Sequence, residues 1–164
     1  MKKSTRRHGT KLTGGCSCGG VRYKLLEKPI RVHCCHCTDC QRHTGSAFVL
    51  NAIIETSAIK ILRGKLHAVP VPRAFAAHDI YRCPDCKVAL WSDYGRRTQI
   101  RFVRVGTLDD PSGIEPDIHI YTETKVPWVK LPKGKPAFRR YYNMKKVWPL
   151  KSQHRLRQAL ASVE

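Results

Sequence analysis

Apolar residues along this chain recur mostly at every second position, the period of a β-strand that turns alternate side chains toward a core. Ile59 and Ile61 share a face in Ile59-Lys60-Ile61-Leu62-Arg63, as do Ile118 and Ile120 in Asp117-Ile118-His119-Ile120-Tyr121. Phe48 to Ile54 reads as another strand. Thr98 to Val105 is apolar on much of both faces, which predicts a central strand. Ile80-Tyr81-Arg82 runs into a Cys83-Pro84-Asp85-Cys86 knuckle, and Ala89-Leu90-Trp91 runs out of it. Breaks fall at Gly64, at Pro70 to Pro72 and at Asp109-Asp110-Pro111. Short strands with frequent turns predict a mainly β single domain, a sandwich or folded sheet.

Two helical pieces interrupt this pattern. Thr38 to His43 can form one turn. After Pro149, Leu156, Ala159, Leu160 and Val163 recur at helical spacing, with Lys151, Arg155 and Arg157 elsewhere on the wheel. This predicts a C-terminal helix docked on the core, with a free basic arm as the alternative.

The chain has 164 residues, the size of one domain. No apolar run reaches the length of a membrane span. The basic start, Met1 to Arg7, is not followed by an apolar stretch, so it does not read as a secretory signal. The expected location is cytoplasmic, where clustered cysteines bind metal or react more often than they form disulfides. The net charge is +19, and most of it sits at the ends. Residues 1–24 carry seven positive charges and no acid, and residues 125–164 carry eleven against Glu164 alone. Such ends attract polyanions.

Eight cysteines carry the chemistry, in three clusters: Cys16 and Cys18; Cys34, Cys35, Cys37 and Cys40; Cys83 and Cys86. Cys16 and Cys18, read as positions two apart on an extended strand, share a face and can reach one ion. With the distant knuckle they supply four thiolates, a closed tetrahedral zinc site. Cys35 and Cys37 share a face by the same parity, and Cys40 returns to it over a helical turn. Three thiolates with a vacant position suit a catalytic zinc. Cys34 is out of phase. It reads as a small buried apolar residue, with a fourth-ligand or redox role as the alternative. His33, His36 and His43 are the nearby competitors for the fourth position. A zinc held by three thiolates is a weak Lewis acid. It better suits holding a substrate thiol as the nucleophilic thiolate than making hydroxide.

Several motifs occur in a familiar order. Gly14-Gly15-Cys16-Ser17-Cys18-Gly19-Gly20-Val21-Arg22-Tyr23 comes first. Cys35-His36-Cys37-Thr38-Asp39-Cys40-Gln41-Arg42 follows, then Thr44-Gly45-Ser46-Ala47-Phe48. Tyr81 to Cys86, Gly106 to Pro111, Pro116 to Ile120 and Lys125 to Trp128 complete the set. Over residues 12–138 this resembles the glutathione-dependent formaldehyde-activating enzyme (GFA) family, which includes centromere protein V. The resemblance implies a zinc-pinned β-tent. It implies a structural zinc on Cys16, Cys18, Cys83 and Cys86, and a catalytic zinc on Cys35, Cys37 and Cys40. It implies carbon–sulfur lyase chemistry joining glutathione and formaldehyde. One departure is Lys87, where the family has Gly after the last knuckle cysteine.

The expected function is therefore a zinc-dependent carbon–sulfur lyase with two zinc ions, acting on a glutathione-like thiol and a small aldehyde. Arg42, beside the last ligand, is a candidate for a substrate carboxylate. Phe48 and Trp128 are candidates for the pocket wall, with a core position as the alternative for each. The basic segments 1–11 and 139–164 flank this domain. Phe138-Arg139-Arg140-Tyr141-Tyr142 interleaves aromatic and basic residues, which suits non-specific nucleic-acid binding. A non-catalytic zinc protein that binds nucleic acid or another polyanion is the competing expectation.

Overall fold

The computed structural model describes residues 12–72 and 77–162. The basic segment 1–11 and Val163 lie outside the described residues. Ten strands form two sheets. β1 (Thr13–Gly15), β2 (Arg22–Leu25) and β5 (Ile59–Arg63) make an antiparallel three-stranded sheet. The larger sheet runs β10-β3-β4-β9-β8-β7-β6. Its strands are β3 (Arg31–Cys35), β4 (Val49–Glu55), β6 (His67–Pro70), β7 (His78–Arg82), β8 (Ala89–Tyr94), β9 (Ile100–Arg104) and β10 (Ile118–Ile120). All its pairings are antiparallel except β10 with β3. The mainly β class follows the period-two pattern, and β9 is the middle strand of seven, as its two-faced apolarity predicts.

Alternation along β4 sorts the core in two. Ala52 and Ile54 join one cluster with Tyr23, Leu25, Val32, Leu90, Trp91 and Val103, and the three-stranded sheet contributes to it. Val49 and Ile53 join the other with Ile30, Ile118, Ile120 and Trp148, backed by Leu156. The three-stranded sheet thus packs on one face of the large sheet, and the C-terminal segment packs on the other.

That segment contains α2 (Met144–Val147) and α3 (Leu150–Ala161). Ala159 is buried and Leu156 packs on the second core, while Leu160 is 36% exposed. Ser152 donates to the carbonyl of Ile30 at 3.1 Å. The helix is docked, not a free arm, because its small apolar stripe meets an uncovered sheet face. The aromatic residues of Phe138-Arg139-Arg140-Tyr141-Tyr142 pack too: Phe138 and Tyr141 both stack on Tyr142. Arg139 and Arg140 both pair with Glu123.

Two local expectations change. Cys16 and Cys18 do not sit on a strand. β1 ends at Gly15, and the two cysteines occupy the turn into β2. That turn is closed by Gly19 N–H to the Cys16 carbonyl at 3.0 Å and Cys16 N–H to the Val21 carbonyl at 3.1 Å. Gly19 has φ +70°, a left-handed conformation that glycine adopts without strain. The shared face of Ile59 and Ile61 is only partly a core face, since Ile59 packs on the first core and Ile61 does not. β5 pairs only with β2, and Ile61 is 42% exposed.

Candidate metal centres and cavity

Cys16 and Cys18 on the β1–β2 turn meet Cys83 and Cys86 on the β7–β8 knuckle, although about sixty residues separate the pairs. The Cys16 and Cys18 sulfurs are 3.4 Å apart, and those of Cys18 and Cys83 are 3.7 Å apart. A disulfide needs about 2.05 Å. Thiolates at about 2.3 Å from a tetrahedral zinc lie about 3.8 Å from one another. The observed spacings are close to the second geometry. Backbone N–H groups also point at the sulfurs. The Cys16 sulfur accepts from Val21 N–H at 3.1 Å. The Cys86 thiol is drawn down to about 6, first by the backbone N–H of Cys18. The donor set fits a closed four-thiolate metal site.

The second group, Cys35, Cys37 and Cys40, belongs to the opposite core. Cys35 ends β3. Cys37 caps α1 (Thr38–Thr44), its sulfur accepting from Cys40 N–H at 3.3 Å. Cys40 lies in the first turn of that helix. The helix forms because Cys37 caps its start and Gly45, with φ +63°, ends it. The Cys37 thiol is held down to about 2, first by its hydrogen bonds with Cys35 and Cys40. Its ionisation pushes Cys35 far upward. Cys40 is pushed up to about 12: the bond from Cys35 draws it down, but Cys37 and burial outweigh that. Three thiols this close ionise together only around a cation, so the donor set fits a metal ion bound by three thiolates.

Arg104 supplies a further charge here. It is 5% exposed and forms no ion pair with any described carboxylate. Its guanidinium donates to Asn51 Oδ1 and, at 2.8 Å, to Ser92 Oγ. Its charge acts on the Cys40 thiol, favouring the thiolate.

The three cysteines open onto a cavity of about 430 Å³. Asp39, His43, Asn51, His78, Tyr94, Arg97, Tyr121 and Tyr141 contribute to its walls. His78 stacks on Tyr94, with ring centroids 4.2 Å apart, and burial lowers its pKa to about 4. Arg97 brings a cation from the β8–β9 turn, and Tyr141 arrives from the C-terminal segment. Arg42 is not among the lining residues: its side chain is 79% exposed and lies 3.9 Å from Asp39. Trp128 is 73% exposed, so it joins neither the cavity wall nor the core. Phe48 lines a different, more open depression and meets His36 edge-on at 5.6 Å. Cys34 is buried, as its phase predicts, with its sulfur 3.5 Å from His36 Nε2. Sequence reading missed Arg97, His78 and Tyr141. Each comes from a separate turn or strand, and only the Gly95-Arg96-Arg97 turn chemistry hinted at an exposed cation.

The family model described as glutathione-dependent formaldehyde-activating enzyme matches residues 11–124. The chain belongs to the GFA family. All eight cysteines fall inside the matched region, and Tyr141 and α3 lie beyond it. No curated relative matches the chain. A crystal structure of a Rhodobacter sphaeroides protein is similar at 20% identity and a TM-score of 0.47, covering 77% of this chain and 98% of that one. Among the described residues, no helix of this GFA protein is long and apolar enough to cross a membrane.

Proposed function

We propose that this GFA protein is a zinc-dependent carbon–sulfur lyase that joins, or separates, a glutathione-like thiol and a small aldehyde such as formaldehyde. The observation that carries this reading is the opening of Cys35, Cys37 and Cys40 onto a cavity whose mostly apolar and aromatic wall also carries one arginine, Arg97, and several histidines. Cys16, Cys18, Cys83 and Cys86 would hold one zinc for stability, and Cys35, Cys37 and Cys40 a second for chemistry. When bound there, the second ion supplies the charge that keeps a substrate thiol in its thiolate form. Arg97 donates its Nε–H to the Tyr94 carbonyl, and its remaining guanidinium N–H groups would take a substrate carboxylate. His78, Tyr94, Tyr121 and Tyr141 supply aromatic wall against which a small carbonyl compound would sit. Eight reduced cysteines suit a reducing compartment, and we place the protein in the cytoplasm.

The nucleic-acid reading gains no support from the described residues. The aromatic residues of the candidate motif are stacked together, and its two arginines share Glu123.

Cobalt substitution tests the proposal. Adding a carboxylate-bearing thiol to the cobalt-loaded protein should shift its visible spectrum. The shift should require Cys35, Cys37 and Cys40 and persist when Cys34 is replaced by Ser. No spectral response to any thiol, in a protein with cobalt at that site, would sink the proposal.

A further inference from the structure

A third group of metal-ligating atoms lies outside both cysteine sets. Cys34 Sγ, His36 Nε2 and His119 Nδ1 all lie within 4.8 Å of one another. The sulfur is 3.5 Å from His36 Nε2, which is 3.0 Å from His119 Nδ1. Their residues are 2%, 0% and 5% exposed. The fold brings them together by register: β10 runs parallel to β3, which sets His119 beside Cys34 on one face. His36 follows just past the strand end. Its backbone is fixed there by its N–H to the Ile120 carbonyl, and by Gln41 and Thr124, which both donate to its own carbonyl. Strand alternation turns Cys34 away from the face that Cys35 serves.

Hydrogen bonding does not satisfy this trio. An imidazole nitrogen carries either one proton or one lone pair. If His36 Nε2 holds the proton and gives it to His119, the Cys34 S–H has no acceptor within the group. If it is bare, the Cys34 thiol and the His119 N–H compete for one lone pair. The outward ring atoms, His36 Nδ1 and His119 Nε2, lack partners in either arrangement, so they do not decide between the two. A cation at the centre serves all three inward atoms at once. Charge then selects the ion. A thiolate and two neutral imidazoles carry one negative charge. A monovalent ion leaves the buried site neutral, whereas a divalent ion leaves an unpaired positive charge out of water. One thiolate and two imidazoles, with no fourth metal-ligating side chain grouped with them among the described residues, suit Cu(I).

We propose that Cys34, His36 and His119 form a closed, three-ligand site for a soft monovalent cation, Cu(I), separate from both zinc sites. The test titrates the zinc-loaded full-length protein anaerobically with one equivalent of Cu(I). Zinc release and the copper X-ray absorption shell are then measured. The expected result is one copper retained per chain, no zinc released, and a shell of one sulfur and two imidazole nitrogens. Cys34→Ser and His119→Gln should each turn that same equivalent of copper into a zinc-displacing one. An all-sulfur shell, zinc release from the unaltered protein, or no retained copper would overturn the proposal. The shell of the unaltered protein decides the matter even if a variant does not fold.

Discussion

Arg155 in α3 grips the carboxylate of Glu55 at the end of β4 with two hydrogen bonds, from Nε at 2.9 Å and Nη2 at 2.6 Å. The two side chains are only 25% and 17% exposed, so water screens them weakly. Arg155 also donates to the Lys28 carbonyl at 3.0 Å. This paired, charge-assisted contact fastens the C-terminal segment to the sheet. Arg155→Ala should cost about 2 kcal/mol of unfolding free energy, read by denaturant titration. Glu55→Gln should cost less, because one bond survives. Removing residues 139–164 should lower the melting temperature sharply, since it also strips Trp148 from the second core.

The two cysteine sets differ in the length of chain they tie together, and their variants should differ accordingly. Cys83 is 0% exposed and tied to its partners across the chain. Cys83→Ser should release one metal and leave the chain unfolded or insoluble, because metal binding there is part of the folding free energy. Cys37 is only partly buried and its group is local in sequence. Cys37→Ser should stay folded with weakened metal at that set alone. Equal destabilisation in melts of the two variants would contradict the division.

The charge of Arg104 favours the Cys40 thiolate, so its replacement should act on metal held by that set. Arg104→Met keeps an unbranched apolar stem and removes the charged guanidinium. It should weaken metal at Cys35, Cys37 and Cys40, measured by chelator competition, while metal at the four-cysteine set holds. Arg104→Lys should recover part of the loss, since it restores charge without the two-pronged contact to Asn51 and Ser92.

The proposed substrate recognition would separate two arginines. Arg97 lines the cavity and Arg42 does not. Arg97→Ala should raise the KM for a carboxylate-bearing thiol by roughly 10-fold to 100-fold, the scale of a lost charged hydrogen bond. Arg42→Ala should leave KM within about 2-fold, since its exposed pair with Asp39 contributes little. Steady-state rates of thiol–aldehyde adduct formation with each variant check this.

Lys87, directly after the last knuckle cysteine, has φ +61°. A side chain in this left-handed conformation costs about 1–2 kcal/mol. Lys87→Gly should therefore stabilise the chain by up to about 1 kcal/mol after the extra freedom glycine gives the unfolded state. A higher denaturation midpoint with unchanged metal content is the expected result.

Much of this architecture is legible in the residues taken in order. The period-two pattern places β4, β9 and β10, because strand geometry is local and needs only alternate burial. Short spacings bring cysteines together within each cluster, since a two-residue or three-residue step cannot separate their sulfurs far. The helix after Pro149 follows from its apolar spacing. What the order of residues could not decide depends on neighbours distant in the chain. The turn that holds Cys16 and Cys18 looks like a strand until its closing hydrogen bonds are seen. Arg42 and Trp128 sit beside the motifs in sequence yet face solvent, while Arg97, His78 and Tyr141 reach the cavity from three separate elements. The grouping of His119 with Cys34 and His36 exists only because β10 pairs in parallel with β3 in one register. Local spacing sets which atoms can share a turn, whereas the sheet register and the docking of the C-terminal helix set which turns share a site.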